Sequence, residues 1–229
     1  MNLRVTINLG GSVFAPEKPK AEVIQKMANA VRELRSQKHE VLMVVGGGGP
    51  AREYIKEAKK MKVSRTELDK IGIDVTRLHA RMLITALGTM AEPEPPTTVE
   101  AAARAAMTNK VPVMGGTTPG QTTDAVAAAL SKVSGSDFLV IFSDVGAVFN
   151  RDPKLDPKAK KIERMTSKML VDMVGTEKLE PGMQTIIDPV AARVIERYKI
   201  KTIVLGESEI NRLPLILSGA EHSGTTIEG

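Results

Sequence analysis

The chain has 229 residues and no cysteine, which excludes a disulfide framework and thiolate metal binding, and its three scattered histidines do not make a zinc site. Its formal net charge of +5 comes from 32 Lys and Arg interspersed with 27 Asp and Glu, and only 3% of residues are aromatic, so a nucleic-acid groove with stacking platforms is not expected. No apolar run approaches the roughly 20 residues that span a bilayer, and the expectation is a protein of the reducing cytoplasm with no export signal, no membrane anchor and no nucleic-acid partner.

Short aliphatic runs alternate with longer helical patterns, which predicts an α/β fold with a mostly parallel sheet covered on both faces. A strand over 4–9 runs into Gly10, Gly11 and Ser12. A helix follows, with Val23, Met27, Ala30, Val31 and Leu34 on one stripe. The next strand, 41–45, runs into Gly46, Gly47, Gly48, Gly49, Pro50, Ala51 and Arg52. A long helix over about 66–87 has Ser64 or Thr66 as its cap and a stripe of Leu68, Ile71, Val75, Leu78 and Met82, which reads as core packing or a seam with a second subunit. The proline-rich segment between Gly88 and Val99 breaks the helix at the surface. Further strands are expected over 111–114, 138–142 and 202–205.

In open α/β sheets ligands bind at the carboxyl ends of the strands. Gly10-Gly11-Ser12 lets backbone amides approach a phosphate, although a tight turn needs the same glycines. The second junction is more specific: four glycines after a buried strand, then a proline suited to a first helical turn, gather free amides and a helix N-terminus at one point. Arg52 lies in that first turn and could neutralise phosphate. No Gly-Lys-Ser/Thr follows, and the spacing is not Gly-x-Gly-x-x-Gly, so P-loop and dinucleotide readings fall away. The third junction, Gly115 to Asp124, surrounds a turn with the hydroxyls of Thr117, Thr118, Thr122 and Thr123. A simple N-cap needs only one such residue, so a polar, phosphorylated ligand is expected there. The fourth, Ser143 to Asp152, sets Phe149 beside a charged turn, where an adenine could be walled.

These junctions, in this order, resemble the amino-acid-kinase family, and within it the archaeal uridylate-kinase type. INLGGSVF, VVGGGGPAREYI, LDKIGIDVTRLHA, PVMGGTTPGQTTDAVAA, the DPK after the fourth strand, IDPVAARVIER and HSGTTIEG carry the likeness over almost the whole chain. The resemblance implies a three-layer α/β/α sandwich forming one kinase domain, with residues 1–130 binding the acceptor and 131–229 binding ATP. It implies transfer of the γ-phosphoryl group of ATP, with Mg²⁺, to UMP in pyrimidine nucleotide synthesis, by a hexamer built as a trimer of dimers. ATP would meet Gly10, Gly11, Ser12, Gly48, Arg52, Ser143, Phe149 and Asp152. UMP would meet Gly47, Asp69 (at the ribose), Thr117, Thr118, Pro119, Gly120, Gln121, Thr122 and Thr123, with Gly11, Gly48 and Arg52 at the phosphoryl groups being exchanged.

Two departures stand out. The family's Val-Asp-Gly-Val-Tyr is here Val145-Gly146-Ala147-Val148-Phe149, and the lysine that related kinases carry two residues before the glycine pair is Asn8. Archaeal uridylate kinases also lack that lysine, whereas isopentenyl phosphate kinases resemble the lysine pattern and need an acceptor-site histidine; His39, His79 and His222 read as structural or solvated. The competing readings are a sibling kinase with another acceptor, such as carbamate or an acylated amino acid, and a non-catalytic nucleotide or oxyanion binder.

Overall fold

The computed structural model describes residues 2–175 and 187–229. Its strands are β1 (Arg4–Leu9), β2 (Glu40–Val45), β3 (Val113–Met114), β4 (Phe138–Phe142), β5 (Arg164–Thr166), β6 (Thr202–Leu205) and β7 (Thr225–Glu228). They form one sheet in the order β3-β2-β1-β4-β6-β7-β5, with only the β6–β7 pair antiparallel. The helices are α1 (Gly11–Phe14), α2 (Ala21–Ser36), α3 (Gly48–Lys60), α4 (Arg65–Leu87), α5 (Val99–Ala106), α6 (Thr123–Ser134), α7 (Ser167–Val174), α8 (Pro189–Tyr198) and α9 (Leu213–Leu217).

The strand period of two sorts the core into two layers. Val5, Ile7 and Leu9, with Val41, Met43, Val45, Val140 and Phe142, face α2, α4 and α9. Leu42, Val44, Leu139 and Ile141 face α5, α6, α7 and α8. The result is the expected α/β/α sandwich. On this second face β1 carries Thr6 and Asn8, both fully buried in the central strand. A buried polar side chain needs a partner. Thr6 bonds Ser136 at 2.8 Å, and the Asn8 amide donates to Asp124 at 2.6 Å.

Three expectations need correction. The stripe proposed for α4 is out of phase with the core: Leu78 is 59% exposed and Met82 36%, while Ile73, Thr76, His79, Ala80, Leu83, Ile84 and Leu87 are buried with Val75. The middle of the inward face, Thr76, His79 and Ala80, is small or polar, and at Thr76 the backbone of Gly115 and Gly116 comes so close that a large side chain has no room. The paired strand β3 is only two residues long, since Pro112 has no N–H to donate and Val111 makes an isolated bridge to Ala91. Helix α3 starts at Gly48, two residues before Pro50, so Arg52 opens its second turn rather than lying in its first. The N-cap of α4 is Ser64, whose hydroxyl accepts the Glu67 N–H at 3.3 Å.

Candidate active site

Because β3, β2, β1 and β4 are neighbours in that order, the four junctions stand in a row along one edge of the sheet. At the centre the β1 and β2 loops interlock. A Cβ on Gly11 would lie 2.1 Å from the Gly48 nitrogen, and one on Gly48, whose φ is +58°, would lie 2.1 Å from the Ala15 carbonyl oxygen. Only glycine permits this approach. Gly46 N–H donates to Leu9 and Gly49 N–H to Ala15, whereas the amides of Gly11, Ser12, Gly47 and Gly48 find no acceptor among the described residues. Four free amides beside the N-terminus of α3 form a nest for an anion. His79 buttresses it from beneath: its Nδ1–H donates to the Gly46 carbonyl at 2.9 Å, its ring packs on Phe14, and burial keeps its pKa low, so it is neutral.

On the β3 side lies a cavity of about 420 Å³ between the α3–α4 hairpin and the third junction. It is lined by Gly47, Gly48, Arg52, Asp69, Thr118, Gly120, Gln121, Thr122 and Thr123, all expected, but not by Thr117 or Pro119. The Thr117 hydroxyl instead donates to Gln121 at 3.1 Å, bracing the turn from within. Asp69 accepts the Gly120 N–H with one oxygen at 2.8 Å, and Thr76 accepts the Gly116 N–H at 2.7 Å, so α4 holds the loop at two points. Thr122 has two structural tasks. Its oxygen caps α6 by accepting the Ala125 N–H at 3.1 Å, and its hydroxyl donates to Asp188, which itself caps α8. Arg52 reaches the Pro16 carbonyl at 3.3 Å and is otherwise uncommitted.

On the β4 side, Ser143 accepts the Gly146 N–H at 3.0 Å. The carboxylate that meets the first junction is one the sequence did not single out. Asp144 pairs with Lys154 and lies near the Ser12 hydroxyl; burial alone would raise its pKa, but Lys154 and Ser12 outweigh that and lower it. Asp152 is occupied in a turn, accepting the Lys154 N–H at 2.8 Å. Phe149 is half-buried and bridges to Lys161 across the same loop, while Asp152 is linked to Asp144 through Lys154. Gly146 has φ +76° and would place a Cβ 3.1 Å from the Gly206 Cα, so the departure from the family's Asp-Gly pair matches a backbone that needs glycine at this position.

Beneath the nest, Asp124 is partly buried, and burial together with nearby Asp188 lifts its pKa from 3.8 to about 6, opposed by the Asn8 amide. Asp124, Asp188 and Asn8 were absent from the expected set. The one local signal was a polar residue in an otherwise apolar central strand.

Nest, flanking cavity and fold define a phosphoryl-handling α/β protein. Residues 4–206 match the amino acid kinase family, and the chain belongs to that family. It is 42% identical over 226 residues to the uridylate kinase of Pyrococcus abyssi, covering 99% of this chain and 100% of that protein, and 42% identical over 228 residues to the uridylate kinase of Methanocaldococcus jannaschii, with 99% and 100% covered. The crystal structure of uridylate kinase from Archaeoglobus fulgidus superposes with a TM-score of 0.85 at 39% identity, over 97% of this chain and 99% of that one.

Proposed function

We propose that this chain is a UMP kinase, transferring the γ-phosphoryl group of ATP to UMP to give UDP and ADP. The observation that carries the reading is full-length similarity, near 42%, to archaeal uridylate kinases, in a chain whose anion nest opens onto a cavity sized for one small polar ligand. UMP would occupy the cavity, its phosphate at Gly47, Gly48 and Arg52 and its ribose at the free oxygen of Asp69. ATP would lie over Gly10, Gly11, Ser12, Ser143, Asp144 and Lys154, with Phe149 and Asp152 flanking the nucleoside. On this reading residues 1–130 serve the acceptor and 131–229 the donor.

Phosphoryl transfer requires in-line positioning and cancellation of charge on the equatorial oxygens. The amides of Gly11, Ser12, Gly47 and Gly48 and the Arg52 guanidinium supply donors aimed at that charge without reorganisation. No general base is needed, because the attacking atom is a phosphate oxygen of UMP that is already anionic at neutral pH. Mg²⁺ would enter as the ATP complex, near Asp144, and supply further charge neutralisation. Work in cytoplasmic pyrimidine nucleotide synthesis follows from the reaction. The exposed Leu78 and Met82 on α4, with Tyr54 and Met61 on α3, offer an apolar seam for the dimers of a hexamer.

The test is ADP release by purified protein with Mg-ATP across UMP, CMP, AMP, GMP, carbamate and no acceptor. Turnover confined to UMP is expected, and ATP binding without release on any acceptor would replace the kinase with a binder.

A further inference from the structure

Arg65 is the first residue of α4 and lines the acceptor cavity. Three features set it apart. It is a cation at the positive end of a 23-residue helix, where the macrodipole disfavours it. It makes no ion pair or hydrogen bond among the described residues, although Lys56, Lys60, Lys70, Arg77 and Arg81 on the same two helices each lie beside a carboxylate. The nearest acid in its own turn, Glu67, is taken by Lys70 at 2.7 Å. An unpaired guanidinium at the wrong end of a helix, facing a cavity, has its partner in the ligand.

The order of groups along the hairpin says which part of the ligand. The deep end holds the nest and Arg52, with Gly47 packed against Thr76. Asp69 follows toward the rim, one oxygen on Gly120 and the other free. Arg65 stands one further helical turn toward the start of α4, about 6 Å along the axis, and lines the same cavity as Thr118, Gly120 and Gln121. Anion nest, carboxylate and guanidinium thus repeat the order of phosphate, sugar and base in a nucleoside monophosphate. Resting on the proposed UMP kinase reading, we propose that Arg65 reads the base of the acceptor, its N–H donors meeting the 4-carbonyl oxygen of uracil. In cytosine a 4-amino group replaces that carbonyl and presents N–H against N–H, so the same contact discriminates against CMP.

The experiment compares wild type, Arg65→Ala and Arg65→Lys in steady state with UMP and CMP as acceptors, with melting temperature as a folding control. Arg65→Ala is expected to raise KM for UMP by about tenfold or more with kcat within about threefold, to leave KM for ATP and Tm unchanged, and to narrow the UMP over CMP preference in kcat/KM by a similar factor. Arg65→Lys, which keeps the charge but not the planar fork, should recover only a minor part of the loss. An unchanged KM for UMP in Arg65→Ala, an equal loss on UMP and CMP, or full recovery by lysine would overturn base reading. A wild-type enzyme inactive on UMP would overturn the functional proposal and this inference together, which keeps the two failures distinct.

Discussion

The two halves of the row of junctions are built differently. At the centre and on the acceptor side the loops are fixed by close packing on backbone, Gly11 on Gly48 and Gly115 on Thr76, and by hydrogen bonds that Gly116 and Gly120 N–H donate to α4. On the donor side the base of the loop is held by backbone bonds, Ser143 to Leu205 and Asn150 to Lys160, but its outer turn, Arg151 to Asp156, is tied down by charged pairs at the surface, Lys154 with Asp144 and Arg151 with Asp156 at 2.9 Å. Close backbone packing leaves one arrangement and tolerates no added atom, whereas exposed ion pairs are worth about 1 kcal/mol or less and re-form readily. The acceptor half is therefore preorganised and unforgiving, the donor half adjustable. That division suits an enzyme that must seat one phosphate accurately and admit and release a larger nucleotide.

The largest expected effect comes from breaking the interlock. Gly11→Val forces side-chain atoms onto the Gly48 nitrogen, and turnover should fall by more than about a hundredfold with a lower melting temperature. Arg52→Ala should lower kcat by about 10² to 10³ while the melting temperature stays within a degree or two; near-normal turnover would remove Arg52 from the catalytic group. Lys154→Gln tests the adjustable half: KM for ATP should rise by about three- to tenfold with KM for UMP unchanged, and equal changes in both would erase the contrast between the halves.

The smallest effect is one of pH. Asp124 holds its proton to about pH 6 in the folded chain and to about 4 when unfolded, so the unfolded state binds fewer protons between those values, and stability falls as pH rises through the window. The difference corresponds to about 3 kcal/mol. Asn in its place keeps an acceptor for Asn8 and never ionises. The melting temperature of Asp124→Asn relative to wild type should therefore climb from pH 4 to pH 6.5 and then level off, and a flat difference would show that Asp124 is not strained by its burial.

Much of this was legible in the chain. Strands β1, β4 and β6 lie where the aliphatic runs place them, and the four junctions were found because glycine clusters after buried strands have few other uses. β5 and β7 are hard to read because they are only three and four residues long, β5 at the edge of the sheet and β7 next to it, and Arg, Thr and Glu dilute the apolar signal. The phase of α4 is ambiguous in the sequence because aliphatic residues fall on two stripes, and the inward one, with Ile73, Leu83, Ile84 and Leu87, is interrupted by Thr76, His79 and Ala80, the residues that fit beneath the glycine loops. Asp124, Asp144 and Asp188 were missed because what distinguishes them is a partner far away in sequence: Asn8 lies 116 residues from Asp124, and Thr122 lies 66 from Asp188. Arg65 had a readable signal, a cation in the first turn of a helix, but only the cavity gives it meaning.

The most direct test follows the transferred group itself. ATP labelled in its γ-phosphoryl group is incubated with Mg²⁺, UMP and the protein, and the label is traced by phosphorus NMR or chromatography. The account predicts that it appears in the β-position of UDP, mole for mole with ADP. Label released as inorganic phosphate, or retained in ATP when UMP is present, would contradict it.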